Sequence, residues 1–193
     1  SYVIEGDVVL QAAQEEVDAA DASGDGDRMA HAYMDLYDAG AHDAPARAQA
    51  LILGLGFKVS ELDNPVHSFS GGWRMRLQLA RALMCPSDLL LLDEPLSALD
   101  LNYQFHVMDL LRQETRENGL ITLIVLHDLN IALRHADHCL MIRSGDLVAE
   151  GAPSQVITPA TLATVYGVAA RVEPCSQGVP QVMIDGLHAD VHA

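Results

Sequence analysis

Leu89-Leu90-Leu91-Leu92-Asp93-Glu94 is the stretch on which the fold turns. Four consecutive aliphatics make a short, continuous apolar run, the pattern of a strand buried on both faces. Two carboxylates follow at its carboxyl end, where open α/β sheets bind ligands. In that place Asp93 suits a magnesium ion held through its water shell, and Glu94 suits polarisation of an attacking water. Taken alone, the string also fits a strand that ends in a polar turn.

Working outward, Leu120 to Leu126 is a second run of buried-strand type, and Leu101 to Asn118 between them is an amphipathic helix closed by Gly119. Trp73 to Met84 has helical periodicity and follows Ser70-Gly71-Gly72, while Asp128 to Ala136 is helical. Cys139 to Arg143 and Leu147 to Glu150 form a hairpin across Ser144-Gly145-Asp146. Thr158-Pro159 starts a further helix by N-cap and first-turn logic. The last twenty residues are weakly patterned, and no internal repeat is present. Upstream, Gln11 to Ala22, Asp27 to Ala39 and Ala44 to Leu55 read as three helices, with breaks at Ser23-Gly24-Asp25-Gly26 and around Gly54 and Gly56. Strands alternating with helices predict an α/β layer with a mainly parallel sheet.

The chain has 193 residues, about one ordinary domain, and is 50% hydrophobic, so it reads as globular. Lys and Arg total 11 against 27 Asp and Glu, for a net charge of −16. That balance repels phosphate backbones, so direct binding to nucleic acid or to an anionic membrane through bulk charge is not expected. Residues 1–50 hold eleven of the acids and only Arg28 and Arg47 as bases, which reads as a solvated face. The apolar runs are too short to span a bilayer, and no signal-peptide pattern opens the chain. The sequence starts with Ser1, which suggests a processed, trimmed or excised product. Cys85, Cys139 and Cys175 form no C-x-x-C pair and fit a reducing compartment. His135, His138 and Cys139 lack a second ligand pair at zinc spacing, and His188 and His192 lie in a tail. The seven methionines need only fill core.

Two further strings bear on chemistry. Leu126-His127-Asp128 puts a histidine at a strand's carboxyl end, where it could donate to a terminal phosphate or sit as an ordinary turn histidine. Phe69-Ser70-Gly71-Gly72, directly before a helix, offers backbone N–H groups, a hydroxyl and a positive dipole end, an anion site or a plain N-cap.

In sequence order, Ser70-Gly71-Gly72-Trp73-Arg74, Leu92-Asp93-Glu94-Pro95, Ser97-Ala98-Leu99-Asp100 and His127 resemble the ATP-binding-cassette (ABC) ATPases. They match that family's signature, Walker B with its catalytic glutamate, D-loop and H-loop. The resemblance implies a partial RecA-like P-loop NTPase core preceded by a helical subdomain. It divides the chain into an acidic helical region at 1–67, the distal half of the nucleotide-binding core at 68–155 and an extension at 156–193. It implies ATP and magnesium as cofactors and a second cassette as head-to-tail partner. Glu94 would position water, Asp93 would hold magnesium and His127 would touch the γ-phosphate. Ser70, Gly71, Gly72 and Asp100 would contact nucleotide.

Two departures qualify this. No G-x-x-x-x-G-K-[ST] occurs, and the single lysine, Lys58, follows Phe57 in Gly54-Leu55-Gly56-Phe57-Lys58, a helix end and loop. The chain is thus expected to be the distal part of a cassette, with negligible turnover alone. The dialect also changes. Ser1-Tyr2-Val3-Ile4-Glu5-Gly6-Asp7 and Phe69 to Leu77 resemble the ABC-F branch that acts on ribosomes. Leu96 to Asp100, His127 to Arg134 and Gly145 to Gly151 resemble importers of ferric siderophores, haem and cobalamin. The two join near Asp93-Glu94-Pro95, as in a chimera. An importer's ATP-binding subunit, cytoplasmic and peripheral to transmembrane permease subunits, is the leading expectation. An ABC-F ATPase and a non-catalytic interaction module are the alternatives.

Overall fold

The computed structural model describes residues 2–188, and the chain divides into two compact units, Ser1–Ile124 and Val125–Ala193. The first opens with a 3-10 turn, Ile4–Gly6, and a helical hairpin of α1 (Val8–Ser23) and α2 (Gly26–Asp38). Asp7 caps α1, its carboxylate accepting from the Leu10 N–H at 3.0 Å, and Asp25 caps α2 by accepting from the Asp27 and Arg28 N–H groups. Gly24, at φ +69°, ends α1 in the left-handed conformation that a side chain would resist. Val17, Ala20 and Ala32 pack with Met29 and Leu36 between the two helices, and Arg28 holds Glu16 through two nitrogens at 2.7 and 3.0 Å.

Asp7 is only 1% exposed and its second oxygen accepts from Arg47 at 3.0 Å. Arg47 lies on α3 (Ala44–Gly54), where Pro45 sits in the first turn and needs no N–H partner. α4 (Gly71–Met84) packs against α3 and buries Leu77, Leu79, Ala80 and Met84. The Ile4–Gly6 turn also lies on α4, so closely that a Cβ on Gly6 would stand 1.9 Å from the Arg81 carbonyl oxygen.

β1 (Leu89–Asp93), α5 (Leu101–Glu117) and β2 (Ile121–Val125) follow as a β-α-β unit whose strands are hydrogen-bonded neighbours. Val107, Met108 and Leu111 form the buried stripe of α5. One expectation is corrected here. The strands are not covered on both faces: Leu90 is 9% exposed, but Leu89, Leu91, Ile121, Leu123 and Val125 are 43% to 68% exposed. Side chains alternate across a strand, and among the described residues only one face of this two-stranded sheet is covered.

The second unit contains α6 (Leu129–His135), the hairpin β3 (Cys139–Arg143) and β4 (Asp146–Gly151), α7 (Pro153–Val156), α8 (Pro159–Tyr166), and β5 (Val168–Pro174) with β6 (Pro180–Leu187). Ser144 and Gly145, both at positive φ, form the two-residue turn between β3 and β4. Thr158 and Thr161 cap α8 reciprocally, as the Thr158-Pro159 pair predicts. β5 and β6 are antiparallel, an ordered hairpin where the sequence pattern is weak; a register shift between Ala169 and Ala170 breaks the alternation there. Met141, Val156, Ile157, Leu162 and Val182 form this unit's core. His188 donates its N–H to the Gly167 carbonyl at 2.8 Å, and His192 lies outside the described residues.

Candidate functional site

Ser70 stands at the N-cap of α4 in extended conformation, with no cap bond from its side chain; its carbonyl accepts the Arg74 N–H at 2.9 Å. The hydroxyl therefore leaves the first-turn N–H groups to other acceptors. Gly71 and Gly72 face different surroundings. A Cβ at Gly71 would meet nothing within 4 Å, whereas a Cβ at Gly72 would lie 2.9 Å from the Ala98 carbonyl oxygen. The open side of this helix N-terminus is thus at Gly71, and its closed side is the loop from Glu94 to Asp100.

That loop is tightly determined. Glu94 has φ +48°, a left-handed conformation that is uncommon for any residue but glycine. Its carbonyl accepts from the Ser97 N–H at 3.2 Å and the Ser97 hydroxyl at 3.0 Å. Leu96 and Leu99 are buried, and the Gln104 amide donates to both of their carbonyls, at 3.3 and 3.0 Å. Asp100 begins α5, its carbonyl accepting the Tyr103 and Gln104 N–H groups, while its side chain makes no cap. Asp93, Glu94 and Asp100 are all exposed at this one loop. Strained backbone on a chemistry-bearing residue is a common mark of a functional turn.

Of the residues singled out from sequence, Ser70, Gly71, Gly72, Asp93, Glu94 and Asp100 all lie in the first unit, and the Gly72–Ala98 contact joins the two segments that carry them. His127 lies in the second unit, exposed, just before Asp128, which caps α6 by accepting from the Asn130 and Ile131 N–H groups. Lys58 is exposed and extended, its backbone N–H donating to Glu61 at 2.8 Å ahead of a 3-10 turn, so it lies in no phosphate-binding loop. Among the described residues no cluster of three or more His, Cys, Asp or Glu is arranged to hold a metal, and His135 is buried in α6.

The sequence reading missed Arg76. It is 4% exposed and lies between the Trp73 ring, 4.0 Å away, and the Tyr103 ring, 3.5 Å away. Nη1 donates to the Leu55 carbonyl at 3.4 Å. The signal was present: Trp73, Arg76, Leu77 and Ala80 share one helical face, and an arginine on a buried stripe must find aromatic or polar company.

The sequence profile of the family described as "ABC transporter" matches residues 8–97. Over those residues the chain is similar to the ABC transporter ATPases. An achromobactin transport ATP-binding protein, CbrD, of Dickeya dadantii is 40% identical over 112 residues, 58% of this chain and 42% of that protein. A hemin import ATP-binding protein, HmuV, of Burkholderia lata is 41% identical over 129 residues, covering 62% of this chain and 47% of that protein. YheS of Haemophilus influenzae, described as a probable ATP-binding protein, is 48% identical over 101 residues, 52% of this chain and 16% of its own. The chain spans about half the length of the two import relatives. Among solved structures, an ABC transporter described as being of metal-chelate type, in an inward-facing conformation, aligns with TM-score 0.60 and 26% identity over 77% of this chain and 58% of its own. A dimeric cassette, MJ0796, bound to ADP and Pi aligns with TM-score 0.51 and 26% identity over 58% of this chain and 48% of its own. The fold is therefore that of part of an ABC cassette, of RecA-like type, and no helix among the described residues is long and apolar enough to cross a membrane.

Proposed function

We propose that this chain is the signature-bearing portion of an ATP-binding subunit for import of an iron chelate, haem or cobalamin. The observation that carries the nucleotide part of the reading is the pairing of an open helix N-terminus at Ser70-Gly71 with the loop Asp93 to Asp100, through Gly72 and Ala98, and the similarity to the achromobactin and hemin import proteins supports the import part. Ser70, Gly71 and Gly72 would hold the γ-phosphate of ATP bound by a second, head-to-tail cassette, using N–H groups at the positive end of α4. Glu94 would position the attacking water and Asp100 would line the shared nucleotide. His127 would contact the γ-phosphate. The adjacent, exposed carboxylates of Asp93 and Glu94 are hard oxygen donors of the type that magnesium takes. Asp93 would hold that ion through water, and the ion would supply charge neutralisation between phosphates. Transmembrane permease subunits would be the further partners, placing the chain on the cytoplasmic face of a membrane.

Phosphoryl transfer rests mostly on positioning, and this sequence holds no P-loop to cradle the β- and γ-phosphates. The chain alone should therefore turn over no measurable ATP. With magnesium and ATP it should bind a cassette that has its own P-loop and a Glu→Gln change that blocks hydrolysis. Gly71→Asp should abolish that association by crowding and charge repulsion while circular dichroism stays unchanged. Association that is indifferent to ATP, or equal in Gly71→Asp, would sink the reading in favour of a non-catalytic module. The resemblance of Ser1 to Asp7 and of Phe69 to Leu77 to the ABC-F branch favours one second reading, an ABC-F ATPase that acts on ribosomes. Co-sedimentation with ribosomes, dependent on ATP, is the result that would select it.

A further inference from the structure

We propose that Arg76, clasped between Trp73 and Tyr103, is a positioning residue that fixes the Ser70–Gly72 turn against the Ser97–Asp100 loop. The inference deepens the nucleotide reading above, since those two segments are the ones assigned to phosphate.

A buried guanidinium with no carboxylate beside it is costly, and leucine or methionine would fill the same volume without desolvating a charge. Arg76 is 4% exposed and its Nε has no hydrogen-bond partner. Its compensation comes from two ring faces, at 4.0 and 3.5 Å, and from the Leu55 carbonyl at the negative end of α3. A planar cation between two rings does something an aliphatic side chain cannot. It sets the orientation of both rings at once.

Each ring is tied to one functional segment. Trp73 follows Gly72 directly, and the Tyr103 N–H donates to the Asp100 carbonyl at 2.9 Å. The stack is closed on its other sides. Phe57 packs edge-on to Trp73 at 4.5 Å and to Phe69, the residue before Ser70, at 5.3 Å. A Cβ on Gly56, whose φ is +91°, would lie 3.1 Å from the Tyr103 ring and 3.6 Å from Arg76 Nη1. The signature helix, the D-loop helix and the end of α3 therefore meet on one guanidinium.

Residue-resolved amide exchange on the nucleotide-free chain tests this, with emission of Trp73, the single tryptophan, as a second signal. In Arg76→Met, exchange should quicken at least tenfold at Arg74, Leu99 and Tyr103 together, while α1 and α2 keep their rates and the Trp73 emission shifts. Arg76→Lys should restore part of the protection. Tyr103→Phe, which keeps the ring, should leave the rates unchanged, and Tyr103→Leu should reproduce Arg76→Met, giving a reading should Arg76→Met not fold. Unchanged rates at Leu99 and Tyr103 would overturn the proposal, as would uniform acceleration that includes α1 and α2. No nucleotide enters this measurement, so failure of ATP-dependent association leaves it untouched and is told apart from it.

Discussion

The Ala98 carbonyl oxygen stands where a side chain on Gly72 would have to go, 2.9 Å from the site of a Cβ. Backbone meets backbone there, so the helix that opens at Ser70 and the loop that leads to Asp100 cannot shift independently. Gly71, one residue earlier, has no such neighbour within 4 Å. Gly72→Ala should therefore cost about 1–3 kcal/mol by urea denaturation, because the Ala98 carbonyl is main chain and cannot rotate away. Gly71→Ala should stay within about 0.5 kcal/mol of the parent. Equal costs at the two positions would contradict this geometry.

Gly6 makes a closer approach, to the main chain of α4 at Arg81. Gly6→Ala should lower stability by about 3 kcal/mol or more, since the turn must leave the helix to admit a methyl group. The midpoint of a denaturant titration reads it directly.

Arg28 holds the Glu16 carboxyl below its ordinary pKa of 4.5, chiefly through the side-chain hydrogen bond. A depressed carboxylate stabilises the fold above its unfolded pKa, and that stabilisation is lost as pH falls through the folded value. The α1–α2 pairing should thus lose this contribution only below about pH 4.5. In Arg28→Met, the Glu16 carboxyl carbon followed by NMR should titrate at higher pH than in the parent.

The two thiols of the second unit should differ in reactivity. N–H groups of Gln177 and Val179 favour the Cys175 thiolate, while burial pushes the Cys139 thiol up. Thiolate is the nucleophile, so near pH 8 iodoacetamide should label Cys175 well before Cys139. Mass-spectrometric mapping at short times checks the order.

Much of this was legible in the residues. The helices, the β-α-β order and the β3–β4 turn follow from apolar spacing, Gly24 and Ser144-Gly145, because these signals are local. Ser70, Asp93 and Glu94 stand out only through their order along the chain with Gly71, Gly72, Ser97 to Asp100 and His127, since each string alone also fits a plain cap or turn. The β5–β6 hairpin escaped because its register shift breaks the period of two. The contact of Gly72 with Ala98, and of Arg76 with Tyr103, joins residues more than twenty positions apart, which periodicity does not encode.

The bare face of Leu89, Leu91, Ile121, Leu123 and Val125 has a consequence for the life of the protein in a cell. To a chaperone or a protease, such a patch is the mark of an unfinished chain, and it should draw both for as long as nothing lies over it. The charge of −16 acts in the opposite sense, holding molecules apart at low salt without hiding the patch from a small binding groove. Abundance should then depend on whatever covers those five side chains more than on the folding of the helices beneath them, and rising salt should bring clumping before it brings unfolding.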